Sequence, residues 1–256
     1  MVKSAKQKII ENYYETTSAR SGSGNTAYYE RCASHLARRL QRWLPKDPEC
    51  TVLDLGCGRG ELLYLLEKRG FNNLTGVNLS KKELEQTRRY TKAAYYCQDI
   101  LTFLHETKLT FDWIGVLNIL EHLDRDTLLN VLQASAARLR PGGVIVAMVP
   151  NAISPFAAVT RFWDITHELS FTPNNFRQLA HLSGLSPCIE FRECSPKPHG
   201  LKSLIRWMGW QCIRGLIRSY LLIETGDSKG GIYTMDMLVR LHVAEDYAVG
   251  KCTTLS

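Results

Sequence analysis

The stretch that most constrains this chain is Thr51-Val-Leu-Asp-Leu55 followed by Gly56-Cys57-Gly58-Arg59-Gly60. A short strand that is apolar on both faces needs cover on both sides, which is the situation in a parallel sheet. The glycines let the chain turn sharply and let a ligand approach the backbone. The helix that follows offers unsatisfied N–H groups at its start. The spacing is G-x-G-x-G, so the dinucleotide fingerprint G-x-G-x-x-G is not met, and no Gly-Lys-Ser/Thr follows as a phosphate loop requires.

The same strand–helix rhythm repeats downstream. A helical pattern runs from Glu61 to Arg69 and closes on Gly70. Leu74–Asn78 reads as a strand, and Ser80 can cap a helix over Lys81–Tyr90. Ala94–Cys97 and Phe111–Leu117 read as strands, and 124–138 as a helix. Arg140-Pro-Gly-Gly143 reads as a turn before the apolar strand Val144–Val149. Alternation of this kind with right-handed crossovers predicts an α/β fold, a Rossmann-like doubly wound sheet. After 150 the rhythm changes. Residues 151–172 read as a loop, and Thr172-Pro173 opens a helix. Ile189–Glu193 and Ile232–Val243 read as two more strands. The sheet is then seven-stranded, with a helical segment, 200–223, inserted before the last strand. Before the core, a helix is expected over 27–42, after the flexible Ser21-Gly22-Ser23-Gly24.

Charge bears on partners. The 256 residues carry 32 Lys+Arg against 25 Asp+Glu, a net +7 that would suit a nucleic-acid binder. The surplus is uneven: +4 over 1–50, zero over 51–194, +4 over 195–225 and −1 over 226–256. It flanks a neutral middle and does not line a groove, so no nucleic-acid partner is expected. No apolar run approaches the roughly 18 residues a bilayer span needs. The basic N-terminus leads into polar sequence, so no secretory leader is expected. Eight cysteines without a CxxC pair or zinc spacing point to a reducing compartment and a cytoplasmic protein, with Cys97, Cys188 and Cys212 read as small buried hydrophobes.

In this context Asp54-Leu-Gly-Cys-Gly-Arg-Gly60, Gly76-Val-Asn78-Leu79-Ser80, Gln98-Asp99-Ile100, Phe111-Asp112 through Asn118-Ile-Leu-Glu-His122, and Leu139-Arg-Pro-Gly-Gly143 come in order. The series resembles the motifs of class I S-adenosylmethionine (SAM)-dependent methyltransferases over about residues 48–150. The resemblance implies SAM as cofactor. It places the methionine part on the backbone around Asp54, Gly56, Cys57 and Gly58. The ribose falls to Asn78 and Leu79, adenine to Asp99 and Ile100, and Asn118 follows the fourth strand beside them. The family usually has an acid where this chain has Asn78, which removes a charge-assisted bond to the ribose. Read without the family, Asp99 can be a helix N-cap, Asn78 a strand end and Asp112 a strand start. An N-terminal segment often folds over SAM in such enzymes, which makes Tyr14, beside Tyr13, a candidate for its carboxylate. The implied layout is a single domain: an N-terminal helical cover (1–47), a SAM-binding core (48–150) and an acceptor-binding part (151–256).

Methyl transfer to a hydroxyl needs a group to take the proton, and histidine suits that at neutral pH. Of seven histidines, His35, His105, His181 and His242 read as surface or packing residues. His122 follows the fourth strand beside the expected methyl. His167 stands in Arg161-Phe-Trp-Asp164-Ile-Thr-His167-Glu168, a loop rich in ionisable and aromatic groups on the substrate side of such a sheet. His167 and His122 are therefore the catalytic candidates, with Asp164 as an orienting partner for His167. The segments from Asn151, through Arg161 to Glu168, and Pro198-His199-Gly200 are similar to methyltransferases of bacterial surface-polysaccharide and natural-product pathways. That likeness implies a sugar or glycan acceptor, reached by Asn151, Arg161, Glu168 and His199. Some related O-methyltransferases hold a divalent ion on Glu-x-x-Glu-His. Here Asn118-Ile-Leu-Glu121-His122 lacks one carboxylate, so no metal is expected.

In the segment 200–223, Leu201, Leu204, Ile205, Met208, Cys212 and Leu216 share one helical face and Lys202, Arg206, Arg214 and Arg218 the other. This reads as a lid or dimer helix, or as a patch for a phosphorylated or lipid-linked acceptor at a membrane surface. The leading expectation is an O-methyltransferase acting on a small molecule or glycan, anionic if the basic flanks serve it. The alternatives are an RNA or protein methyltransferase using those flanks, or a SAM-binding partner subunit without catalysis.

Overall fold

The structure is a computed structural model and describes residues 24–226 and 231–243. It opens with α1 (Thr26–Leu40), capped by Asn25, and a single 3-10 turn, Gln41–Trp43. Then follow β1 (Val52–Leu55), α2 (Glu61–Glu67), β2 (Leu74–Val77), α3 (Lys81–Thr87), β3 (Ala94–Tyr96), α4 (Ile100–Glu106) and β4 (Phe111–Leu117). After a 3-10 turn at Leu120–His122 come α5 (Arg125–Ala137), β5 (Leu139–Pro150), α6 (Ala157–Arg161), α7 (Pro173–Leu182), β6 (Glu190–Glu193), α8 (Leu201–Thr225) and β7 (Asp236–His242).

The seven strands form one sheet in the order β3-β2-β1-β4-β5-β7-β6. The first five run parallel, and β7 lies antiparallel between β5 and β6. The strand order reverses between β1 and β4, which opens a crevice beyond their carboxyl ends. This is the expected Rossmann-like sheet, with the inserted helix before the last strand.

Side chains alternate along β5 between two apolar layers, as the period of two requires. Ile145, Ala147 and Val149 join Leu53, Leu55, Ile114, Phe103, Val131 and Phe176 under α4, α5 and α7. Val144, Val146 and Met148 join Leu63, Leu66, Tyr29 and Leu40 under α1 and α2. The helix starts follow local chemistry. Ser80, Asp99, Asp124 and Thr172 each accept a backbone N–H of the helix they precede. Pro173 opens α7 within a capping box formed by Thr172 and Asn175.

Several local expectations change. Arg140–Gly143 is not a separate turn but part of β5, as a bulge between the Phe111↔Leu139 and Trp113↔Val144 pairings. Arg140 is held there by Asp112, at 3.0 Å. The 151–172 stretch contains the short helix α6. The first helix stops at Leu40 because Gln41 takes a φ of 47°, outside the helical range. The cysteine reading fails: Cys97 and Cys212 are exposed and Cys188 is half-buried and disulfide-bonded. Cys97 lies just past β3, the outermost strand, and Cys212 lies on α8, so neither has a second layer to cover it.

Candidate active site

The carboxyl ends of β1, β2 and β4, roofed by α1, enclose a cleft of about 1430 Å³. Gly56, Gly58 and Gly60 have φ of 67°, 52° and 75°, the left-handed region that disfavours a Cβ. At Gly56 a Cβ would also lie 2.1 Å from Ile119 Cδ1, and at Gly60 2.1 Å from Thr87 Cγ2, so these two positions have no room for a side chain. Asn78 Nδ2 donates to Gly58 O at 3.2 Å and to Glu83 Oε2 at 2.7 Å, tying the glycine turn to α3. Asp99 Oδ1 accepts the N–H groups of Leu101 and Thr102, so the N-cap reading holds. Asp54, Gly56, Cys57, Gly58, Asn78, Leu79, Asp99, Ile100 and Asn118 all line this one cleft.

Beside the glycine turn the cleft wall holds the buried acids Asp54 and Glu61. Burial pushes the Asp54 carboxyl well above the usual range, and the neighbouring Glu61 adds to the rise. Burial likewise raises Glu61, whose Oε1 accepts from Tyr28 Oη at 2.6 Å. Arg59 lies over the Tyr28 ring at 4.3 Å, and Tyr29 Oη donates to Arg59 O at 2.8 Å, fixing α1 as the roof. Buried carboxylates of this kind suit a cationic ligand, which would return them to their charged forms.

The other wall is made by the turn after β4 and the loop after β5. His122 Nδ1 meets Thr166 Oγ1 at 2.6 Å, and Thr166 Oγ1 donates to Asp164 Oδ1 at 2.7 Å. A hydroxyl has one hydrogen, and here it goes to the carboxylate. Nδ1 of His122 is therefore the donor, and its Nε2 carries the lone pair. Burial, with the charge of His167 adding, lowers His122 to about 4, so the ring is neutral at physiological pH. His167 packs edge-on against His122, with ring centroids 4.7 Å apart, and its Nδ1 donates to Thr160 O at 2.8 Å. Glu121 is buried beneath them, its Oε2 without a hydrogen bond, and burial raises it to about 8. Its backbone carbonyl accepts from Glu168 N and Leu169 N, at 2.7 and 3.1 Å, which clips the two segments together.

The family model for the methyltransferase domain matches residues 27–190, well over half of the chain. This chain is a class I SAM-dependent methyltransferase. Among solved structures, this methyltransferase is similar to a SAM-dependent methyltransferase from Archaeoglobus fulgidus, with 20% identity, TM-score 0.62 and coverage of 92% of this chain and 99% of that one. It is also similar to magnesium protoporphyrin IX methyltransferase from Synechocystis with bound S-adenosylhomocysteine (SAH), at 13% identity and TM-score 0.59, covering 93% and 99%. At these identities the likeness is one of fold. The ubiquinone biosynthesis O-methyltransferase of Idiomarina loihiensis is 33% identical over 99 residues, 37% of this chain and 40% of that protein. The match thus spans about two fifths of that relative's length. SAM is the cofactor, and the residues present fit it: a glycine turn held in left-handed φ and, beside it, the buried acids Asp54 and Glu61, which suit a cationic ligand.

The structure brings together only part of the expected acceptor set of this methyltransferase. Glu168 lines the cleft and is exposed. Asn151 does not serve there: it is fully buried and spends Nδ2 on Ile232 O and Thr234 O, at 2.6 and 2.9 Å, and Oδ1 on Ile153 N at 3.1 Å. Arg161 folds back on its own loop and donates to His167 O and, at 2.8 Å, to Glu168 O. His199 is exposed outside the cleft lining, with Nδ1 on Lys197 O at 2.9 Å. Asp164 orients His122 through Thr166, not His167 as expected, because Thr160 O already holds His167 Nδ1. Tyr14 lies outside the described residues.

Sequence reasoning missed Glu83 and Thr166, whereas the helical cover it expected is α1. Glu83 had a signal: it lies one helical turn beyond Asn78 and restores a carboxylate beside it. Thr166 stood between the two residues singled out. The metal reading counted a missing carboxylate after β4, but Glu121, His122 and His167 bring a ligand atom each to within 4.8 Å of one another. That third donor comes from a loop 45 positions away, which spacing does not show.

Proposed function

We propose that this methyltransferase transfers the methyl group of SAM to a hydroxyl of a small polar acceptor, a sugar or glycan, with His122 as general base. The observation that carries this is the chain His122–Thr166–Asp164 at the cleft wall, which holds the ring in a single tautomer with the lone pair on Nε2. Bound SAM supplies a methyl on a cationic sulfur, and attack by the acceptor oxygen breaks the C–S bond and leaves a neutral thioether. His122 Nε2 takes the hydroxyl proton as the new C–O bond forms. Asp164, through Thr166, steadies the imidazolium that results. His167 packs against His122 and limits its rotation. Thr166 and Glu168 offer polar contacts to acceptor hydroxyls.

The cofactor half (48–150) and the acceptor half (151–256) divide the work, and the N-terminal part (1–47) covers the cofactor. Arg31 and Arg38 on α1 line the cleft, which favours an anionic acceptor such as a phosphorylated sugar. Hydroxyl methylation also agrees with the O-methyltransferase activity for which the ubiquinone biosynthesis relatives are named. The exposed α8 is the surface for a membrane or for a second copy.

A SAM-consumption screen against nucleotide sugars, glycans and bulk RNA tests this reading. Turnover on a hydroxylated small molecule, with SAH raising the melting temperature, is the expected result. Turnover on RNA or protein alone would overturn the acceptor class. A melting shift without turnover on any acceptor would favour a non-catalytic partner subunit.

A further inference from the structure

Helix α8 is built the wrong way round for a packing element. Its 25 residues span about 37 Å at roughly 1.5 Å each. The side turned to the body holds Ser203, Trp207, Trp210, Arg214, Ile217 and Leu221, all buried or half-buried. Arg214 Nε and Trp210 Nε1 both reach Glu193 Oε2, at 3.5 Å, which anchors this side to the end of β6. The opposite side carries the apolar stripe. Leu201, Ile205 and Leu216 are 75%, 62% and 72% exposed, and Met208 and Ile223 lie on the same face. The stripe found in the sequence therefore faces solvent, where it gains nothing from the fold.

A second apolar patch lies nearby in the topology. Phe162, Trp163 and Ile165, in the loop after β5, are 77%, 80% and 85% exposed. Glu193 of β6 pairs with Met237 of β7, and Met237 pairs with Val149 of β5. The chain thus enters α8 from the same sheet edge that releases the 151–172 loop and the catalytic turn. Ile165 itself lines the cleft.

We infer that this edge docks on an anionic membrane surface, with α8 lying flat in the interface and the aromatic loop inserting beside it. Lys202, Arg206 and Arg218 are exposed and flank the apolar stripe, and Glu224 is the only acidic residue of the helix. An apolar face edged by basic side chains matches anionic headgroups over acyl chains. The same edge charges argue against a second copy, because a helix pair would bring like charges together with one carboxylate per chain to offset them. The helix lies on the surface and does not span it, since among the described residues no helix is long and apolar enough to cross a membrane. Docking would hold the cleft mouth at headgroup level. It stands whether or not the acceptor is a glycan.

The full-length protein should be sedimented with vesicles of phosphatidylcholine alone and of equal parts phosphatidylcholine and phosphatidylglycerol. Binding at least about tenfold stronger to the anionic vesicles is expected. Ile205→Asp with Leu216→Asp should abolish it while SAH still raises the melting temperature. Lys202→Ala with Arg206→Ala, which removes no apolar contact, should erase most of the preference for anionic vesicles. No binding to anionic vesicles, or binding untouched by both double variants, would overturn the inference. So would a concentration-dependent dimer that the Asp variant dissociates without any vesicle binding; that result assigns the face to a second copy.

Discussion

The loop after β1 and the loop after β5 leave the same edge of one sheet, yet they are made differently. The first is short and glycine-built, and the residues that follow the neighbouring strands β2 and β3 hold it and the helix beside it in place. Asn78 pins Gly58, and Asp99 caps α4 from the cleft wall. The second is long and aromatic. It spends Asn151 and Arg161 on its own shape and leaves Phe162 and Trp163 to solvent. A constant ligand can be met by backbone and short contacts, whose pattern is local in sequence. A particular acceptor is met by side chains gathered from separate loops onto a rigid edge.

The two regions should separate most sharply in turnover. His122→Ala is expected to lower kcat by about 10²–10⁴-fold while leaving SAH affinity unchanged. His167→Ala should cost less. Equal loss in both, or loss of SAH binding measured by calorimetry, would break the division between cofactor and acceptor walls. Within the cofactor wall, Gly56→Ala should cost about 2–4 kcal/mol, because a left-handed φ and the contact with Ile119 act together. Gly58→Ala, with nothing within 4 Å of its Cβ, should cost only about 1–2 kcal/mol. Thermal melts of the pair check this.

Stability should also depend on pH. Glu121 is raised to about 8 in the fold, so the folded state holds a proton that the unfolded chain has released, and stability falls as pH rises from about 4.5 to about 8. His122 is lowered to about 4, which gives the opposite slope from about 4 to 6.5. The two oppose each other below 6.5, so the share of the loss due to Glu121 should emerge between about 6.5 and 8, at about 2 kcal/mol. Glu121→Gln should remove that share and leave only what the buried Asp54 and Glu61 add in the same direction. A wild-type stability that is level across that interval would show that Glu121 is already ionised in the fold.

Much of this was legible because strand and helix signals are short-range. The caps at Ser80, Asp99 and Thr172, the glycine turn and the alternating faces of β5 all depend on neighbours within a few residues. The acceptor wall was less legible. His122 and Asp164 were both named from the sequence, but the partner that joins them, Thr166, depends on the clip between Glu121 O and the N–H groups of Glu168 and Leu169. Nothing in the spacing announces that clip.

The sequence by itself determined the sheet, its cofactor edge and the amphipathic character of α8, because periodicity and turn chemistry act over one or two turns of chain. Only the tertiary structure decided which way α8 faces, which histidine stands at the cleft and which polar residues are consumed in holding the loop. Those outcomes depend on contacts between segments tens of residues apart, and the chain learns of them only when it closes on itself.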